Sequence, residues 1–538
     1  MKSIKMRGVV AAVAGALMFG FGANAMADST DDIINALIAK GVLTEEEGSL
    51  LTKGRDGEKA GNAKKPKTTE KDGAFTLESG NGNTTMALTG RLHFDAHNSN
   101  LDFATSENTD KDTASAADQF EIRRARIGVK GKLAKDFKYE AVTNLVGGTP
   151  TLDVAFLDWA KYDQGNIRFG KFKQPFNLEE LTSSNNITFM ERSYVNQLSP
   201  AKKLGVMFSG EGRPGFTYAA SAFQFNDTEL SYKGEDLSYA GRTTLNFAEI
   251  MGDKTAIYHV GLAGFDTSYA VRPTTSSSAS GGYDSSASIM SFRGSNRGLS
   301  NIFRAQIQGD NSITGQSVQS DNSSQVSAKA LGLEGIVAQG PFKLQGEFVS
   351  SDYKANYIDT ANISLDAKAW YAEAAWMITG ENYADSYKKG VFGAIKPKSM
   401  YDMDGGKGWG AWELAFRMEA YDVSNGTISG GTAQATGNGG TRFQGNLSCD
   451  GTNGNSSTAT GNSKQNGAAG TTGLSETGCN SGATSYTAGL RWIANPNLLF
   501  KLNYTYTKFD NKWDHFDTEG TKFMGNEQVM SLRGQWMF

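Results

Sequence analysis

Two short runs concentrate the side chains that could do chemistry. "FEIRRARIG" carries Arg123, Arg124 and Arg126; "IRFGKFKQPF" carries Arg168, Lys171 and Lys173. A guanidinium presents a planar fork of donors that matches the oxygens of phosphate or carboxylate, and an ammonium presents a point charge. Such groups bind or steer anions. Other reactive arrangements fail: there is no G-x-S-x-G stretch, and no Gly-rich loop opens a helix to cradle phosphate. Of the histidines at 93, 97, 259 and 515, only His93 and His97 lie close, on one face of one strand, and that pair reads as structural. No metal set and no cofactor is expected. The formal net charge of −4 does not point to nucleic acid as a partner.

The elements that must position these cations are strands. "LLFKLNYTYTKF" sets Leu498, Phe500, Leu502, Tyr504 and Tyr506 against Lys501, Asn503, Thr505 and Thr507. "WELAFRMEAY" and "FKLQGEF" alternate in the same way, with charges on the polar face. Apolar residues make up only 38% of the chain and are interleaved with polar ones, so continuous apolar core segments are lacking. Either the chain is a large soluble β protein, or lipid lies outside its strands and water inside.

The connections decide between these. Strand-like segments begin at 88–98 and 119–130 and close with 498–508 and 526–538. Tight turns stand at "EGRPGF", "AQGPF" and "ANPN". Long connections at 175–203, 268–325 and 423–483 all fall on the opposite side. Short turns on one side and long loops on the other suit a barrel of the bacterial outer membrane, and about sixteen strands leave a water-filled channel. The fold class expected is therefore all-β, an antiparallel transmembrane barrel over 75–538. One connection, 380–408, is long on the short-turn side.

Both ends of the chain agree. Lys2, Lys5 and Arg7, an apolar run from Val9 to Gly22, and Ala25-Met26-Ala27 have the order of a secretory signal peptide over 1–27. Its removal takes the formal net charge from −4 to −7. Residues 28–74 read as a short helical segment and a Lys/Gly-rich linker. Ile33, Ile34, Leu37 and Ile38 form a stripe there, and Thr44 with Glu47 forms a capping box. A pair of small solvated helices and a short coiled coil between subunits both fit. The last strand places Met530, Leu532, Trp536 and Phe538 on one face. A closed barrel pairs its last strand with its first, and the terminal Phe538 is the expected assembly signal.

The pieces "FEIRRARIGVKGKLAKDFKYEAVTNL", "DVAFLDWAKY", "IRFGKFKQPFNLEELTSSNNITFMERS" and "GGKGWGAWELAFRMEAYDVS", with the final Phe, resemble the phosphate-selective porin O and P family. The resemblance implies a sixteen-stranded barrel, commonly a homotrimer, with a third loop folded into the lumen and a cationic pore that passes anions. It also implies that 380–408 tucks into the pore. Partners would be the lipid bilayer, lipopolysaccharide, the outer-membrane assembly machinery and small anions such as phosphate. Arg123 and Arg124 match the family's paired arginines. Phe120 and Ile122 share one parity and Ile127 and Val129 the other, so a bulge near Arg123–Arg124 turns Arg123, Arg124 and Arg126 to the lumen. The alternative is that one of them snorkels or pairs with Glu121. Arg168 faces inward by its parity. Lys171 and Lys173 sit where the strand leaves for loop three, near the constriction or as ordinary rim charge.

Further arginine rows of the phosphate-specific members do not align here, so a general small-solute porin stays as the alternative. A barrel enzyme or an adhesin is the more distant rival. Cys449 and Cys479 share one long external loop of a secreted chain and are expected to form a disulfide. Closing about 30 residues would contribute roughly 3.6 kcal/mol in the chain-entropy account.

Overall fold

The computed structural model describes residues 65–71, 74–99, 119–225, 236–271, 287–294, 303–307, 324–357, 361–402, 405–430, 433–435, 441–443, 447–450, 481–517 and 520–538, with scattered residues between 38 and 53. Two compact units are distinguished: 1–67 with 79–82, and 68–78 with 83–538. In the first, the Thr44–Glu47 capping box is formed: Glu47 N donates to Thr44 Oγ1 at 3.2 Å, and Thr44 N donates to Glu47 Oε2 at 2.9 Å. The leader read over 1–27 lies outside the described residues, as does Cys479.

The second unit is a closed barrel. Its strands, in order, are β1 (Thr85–Ser99), β2 (Gln119–Leu133), β3 (Phe137–Asn144), β4 (Thr151–Tyr162), β5 (Gly165–Lys173), β6 (Lys202–Arg213), β7 (Phe216–Gln224) and β8 (Ser238–Asn246). They continue as β9 (Ala256–Val271), β10 (Ser324–Gln339), β11 (Phe342–Tyr357), β12 (Ala361–Met377), β13 (Ala411–Gly430), β14 (Ser481–Asn495), β15 (Leu498–Asp517) and β16 (Gly520–Met537). Each pairs antiparallel with the next, and β16 returns to β1 in the register Trp536↔Leu92. A short strand, Ala74–Glu78, adds to the start of β1.

Alternation fixes which face is which. On β13, Leu414 and Phe416 are 47% and 51% exposed to the barrel exterior, whereas Glu413, Arg417 and Glu419 before and after them are at most 2% exposed. The apolar face is outward, where the bilayer covers it, and the charged face is inward. Among the described residues no helix is long and apolar enough to cross a membrane; the strands do the crossing. The terminal residue completes the seam. Phe538 exchanges backbone hydrogen bonds with Gly90, and its ring lies where any Cβ at position 90 would sit.

The apolar core lies inside the barrel and to one side. Residues 174–201, between β5 and β6, enter the lumen, with a single helical turn α1 (Leu178–Leu181) and a 3₁₀ turn at Tyr194–Leu198. Phe176, Tyr194, Val195 and Leu198 pack against Phe292 and Phe303, which belong to a small three-stranded sheet of residues 287–292, 303–307 and 447–450. Phe292 stacks on Tyr421 of β13 at 4.0 Å. The long connection after β12 also turns inward from the short-turn side. Its Tyr383 and Phe392 join Leu178 and Phe189 in a second apolar cluster.

Candidate anion pathway

The site begins with a fault in a ladder. In the β1–β2 pair His93 stands opposite Arg124 and Phe94 opposite Ile122, so Arg123 is an extra residue, a β-bulge. Phe120 and Ile122 lie outside on one parity and Ile127 outside on the other. The bulge thereby turns Arg123, Arg124 and Arg126 all inward. A second bulge falls at Asp153, where Val142 pairs with Val154 and Thr143 with Leu152. It aims the Asp153 carboxylate at Arg126 (2.9 Å) and Lys202 (2.5 Å).

These groups border an open cavity of about 550 Å³ on the β1–β8 side of the lumen. Nine basic and four acidic side chains line it. Arg168 of β5 lies over the Phe156 ring at 4.1 Å and donates to Asp158 at 2.9 Å. Arg192, from the inserted loop, donates from Nε to the Glu179 carbonyl at 2.8 Å and reaches Glu180 at 3.2 Å. Lys173 donates to carbonyls of Glu180 and Thr182, so two cations close the C-terminal end of α1. Two guanidiniums have weaker counter-charges. Arg91 donates to hydroxyls, of Ser184 at 2.9 Å and Ser183 at 3.5 Å. Arg124 meets His93 Nδ1 at 3.4 Å and stands 3.9 Å from Glu191. From the short-turn side, Lys389 borders the same cavity, paired with Asp163 at 3.2 Å and Glu211 at 3.3 Å.

The opposite wall is also basic, but the loop covers it. Arg533 of β16 grips Asp95 through two bonds of 2.7 and 2.6 Å, reaches Glu191 at 2.8 Å, and donates to the Met190 carbonyl. Arg417 of β13 joins Glu179 and Glu419, and Arg491 of β14 joins Glu413 at 2.6 Å. Lys501 of β15 donates to the carbonyls of Ile187 and Phe189 at 2.6 and 2.9 Å. Glu347 of β11 accepts from Leu178 N and Glu179 N, both at 2.8 Å, at the start of α1. The loop carboxyls feel this wall. Burial works to raise Glu191, but Arg123, Arg124 and Arg533 outweigh it and hold the carboxyl well below its ordinary range. For Glu179 burial wins over Arg417 and Ser193, and the value is pushed up to about 7.

Of the residues singled out by sequence, Arg124, Arg126, Arg168 and Lys173 border the cavity. Arg123 instead clasps Glu191 in two bonds, of 2.8 and 3.0 Å, and ties down the loop. Lys171 stands apart. It pairs with Ala155 and Leu204, on the outward parity of Phe169, because Gly170 with φ 120 and Phe172 take the inward positions. The sequence reading missed Arg91 and Lys202 and noted Arg242 only as an isolated base. Arg91 and Arg242 are lone bases at an inward parity, and parity is the signal that marks them; Lys202 shares the outward parity of Leu204 and Val206 and reaches the cavity from the end of its strand. Residues 380–408 do enter the lumen: Arg242 donates to the Gly390 carbonyl at 2.7 Å, and Tyr387 meets His259 Nδ1 at 2.6 Å.

Residues 86–538 match the family described as phosphate-selective porin O and P. Porin O of Pseudomonas aeruginosa is 26% identical over 327 residues, which cover 59% of this chain and 69% of that protein. Among solved structures, an anion-selective porin from Comamonas acidovorans aligns with a TM-score of 0.41 at 10% identity, covering 85% of this chain and 100% of that one. Outer-membrane expressed OmpT of Vibrio cholerae aligns with a TM-score of 0.43 at 8% identity, covering 88% of this chain and 100% of that one.

Proposed function

The chain belongs to the phosphate-selective porin O and P family of the bacterial outer membrane, and from that premise we propose that it conducts anions along the open wall between Arg91 and Lys389, with oxyanions such as phosphate held briefly at Arg91, Arg124 and Arg126. One observation carries this reading: nine basic against four acidic side chains border the open cavity although the chain as a whole is acidic. Lumen charge, not total charge, sets the preference of a narrow pore. Arg91 donates to the Ser183 and Ser184 hydroxyls and Arg124 stands 3.9 Å from Glu191, so an oxyanion can compete for both donors of a fork.

A second reading has its own support. Arg126, Arg168 and Arg192 each have a carboxylate partner within 3.2 Å. A pore so neutralised would pass chloride and phosphate alike, as a general anion porin. Arg168 and Lys173 belong to the pathway in either reading, whereas Lys171, facing outward, serves the membrane border. We also propose that the leader over 1–27 is removed on export, that residues 28–74 form the helical segment and linker, and that the barrel assembles as a homotrimer among lipopolysaccharide through recognition of Phe538. The disulfide between Cys449 and Cys479 is part of the same proposal, and free thiols in non-reduced envelope protein would exclude it.

The test is the purified porin in a planar bilayer under a potassium chloride gradient. The reversal potential should favour chloride, and added phosphate should reduce the chloride current. Chloride preference without phosphate block selects the general anion porin. Cation preference overturns the proposal.

A further inference from the structure

We propose that Asp95, His97 and Glu121 form a binding site for one divalent transition-metal ion of the Zn²⁺ type, on the lumen wall between the Arg123 bulge and the long loops. Asp95 and His97 are two apart on β1 and so share its inward face, and Glu121 of β2 stands directly opposite Asp95. One ligand atom from each lies within 4.8 Å of the others.

The independent pointer is His97. It is 4% exposed, and its Nε2 has no hydrogen-bond partner. That atom lies 3.8 Å from Asp95 Oδ2 and 3.6 Å from Glu121 Oε1. Both distances are too long for a hydrogen bond. They suit an atom placed between: two ligand bonds of about 2.0–2.1 Å at a tetrahedral angle span roughly 3.3 Å. The ring is already held for this role. Its Nδ1 meets Ser531 Oγ at 2.8 Å, in register on β16. With Nδ1–H donating to Ser531, the Nε2 lone pair points at the carboxylates, the arrangement that orients metal-bound histidines.

Charge permits a cation here. Asp95 accepts from Arg533 through both oxygens, so its Oδ2 would bridge the guanidinium and the ion; Glu191 takes part of that guanidinium's capacity, and Glu121 brings a second carboxylate to the site. One imidazole and two carboxylates, with room for water as a fourth ligand, suit Zn²⁺. They are poor for Mg²⁺, which prefers six oxygens.

The test is calorimetric titration of ZnCl₂ into the full-length folded porin in detergent, with MgCl₂ as the control. One Zn²⁺ per chain is expected, with no Mg²⁺ binding in the same range. Glu121→Gln, which keeps the shape of the side chain, should weaken Zn²⁺ about 10-fold, and His97→Ala about 100-fold. Ser531→Ala, which removes only the orienting group, should weaken it about 10-fold. In bilayers Zn²⁺ should move the reversal potential of the unmodified channel further towards chloride and leave Glu121→Gln unmoved. Undiminished Zn²⁺ binding in both His97→Ala and Glu121→Gln, or no binding by the unmodified protein, overturns the assignment.

Discussion

The two walls of the lumen carry the same kinds of side chain and use them in opposite ways. Arg417, Arg491, Lys501 and Arg533 lie under the inserted loop and spend their donors on Glu179, Glu191, Glu413, Asp95 and loop carbonyls. Arg91, Arg124 and Arg126 border the open cavity, and the loop meets Arg91 through two hydroxyls and stands 3.9 Å from Arg124. A buried ion pair is costly to break, because the surviving partner is left desolvated without a counter-charge. An uncovered cation keeps donors for whatever arrives. An arginine on a barrel strand therefore has no fixed meaning; the loop that does or does not lie on it decides.

The largest effect should come from breaking the covered wall. Arg533→Ala leaves Asp95 and Glu191 buried with a lost partner, a cost of about 3–5 kcal/mol. Denaturant unfolding of the barrel should show an earlier midpoint, and single channels should become noisy as the loop loosens. A quiet channel of unchanged stability would remove the distinction between the walls.

Arg123 and Arg124 sharpen the contrast, since they are neighbours with different duties. Arg124→Ala should shift the reversal potential towards cations and weaken phosphate block about 10-fold, equivalent to about 1.4 kcal/mol, with little added noise. Arg123→Ala should raise noise and leave selectivity nearly unchanged. Arg124→Lys should keep anion preference but lose part of the block, because the charge stays and the fork goes.

Glu191→Gln converts covered wall into open wall. It removes the carboxylate held by Arg123 and Arg533, so anion preference should rise modestly in the same gradient measurement. The smallest effect is with pH. Glu179 sits near 7, above its unfolded value, through burial. Its contribution to holding the loop is complete below the unfolded value of about 4.3 and is lost as pH rises through about 7. Channel noise should therefore grow between pH 6 and 8 and become flat in Glu179→Gln. Glu191, held low, should contribute no change in that window.

Much of this was legible in the sequence because it depends on neighbours along the chain. The strand segments read at 88–98, 119–130, 498–508 and 526–538, and the expected number of about sixteen, appear in the barrel, since period-two alternation is local. The slip of parity between Ile122 and Ile127 located the bulge for the same reason. Lys171 and Lys173 mark the limit of that rule. Both share the parity of Phe169, yet Lys173 turns in to the loop carbonyls from the end of the strand, so neither parity nor nearness to the loop alone separates the two lysines. What could not be read is which wall residues 174–201 would cover. That depends on contacts such as Arg533 with Glu191 and Lys501 with Ile187, more than 300 positions apart. Asp153 and Asp95 looked like ordinary strand acids; only the folded barrel shows one beside Arg126 and the other beneath Arg533.

The carboxylates along the open wall have a kinetic meaning. Asp153 and Asp158 pair with Arg126 and Arg168, two of the bases that border the open cavity. A passing anion must displace a resident competitor at each station, and the competitor returns as soon as the anion moves on. Each well is thereby shallow and its dwell time short, while the positive potential that excludes cations is kept. On the proposed pathway, throughput and discrimination would be set by different residues: the acids would control how quickly an anion leaves, and the surplus of bases which ions enter.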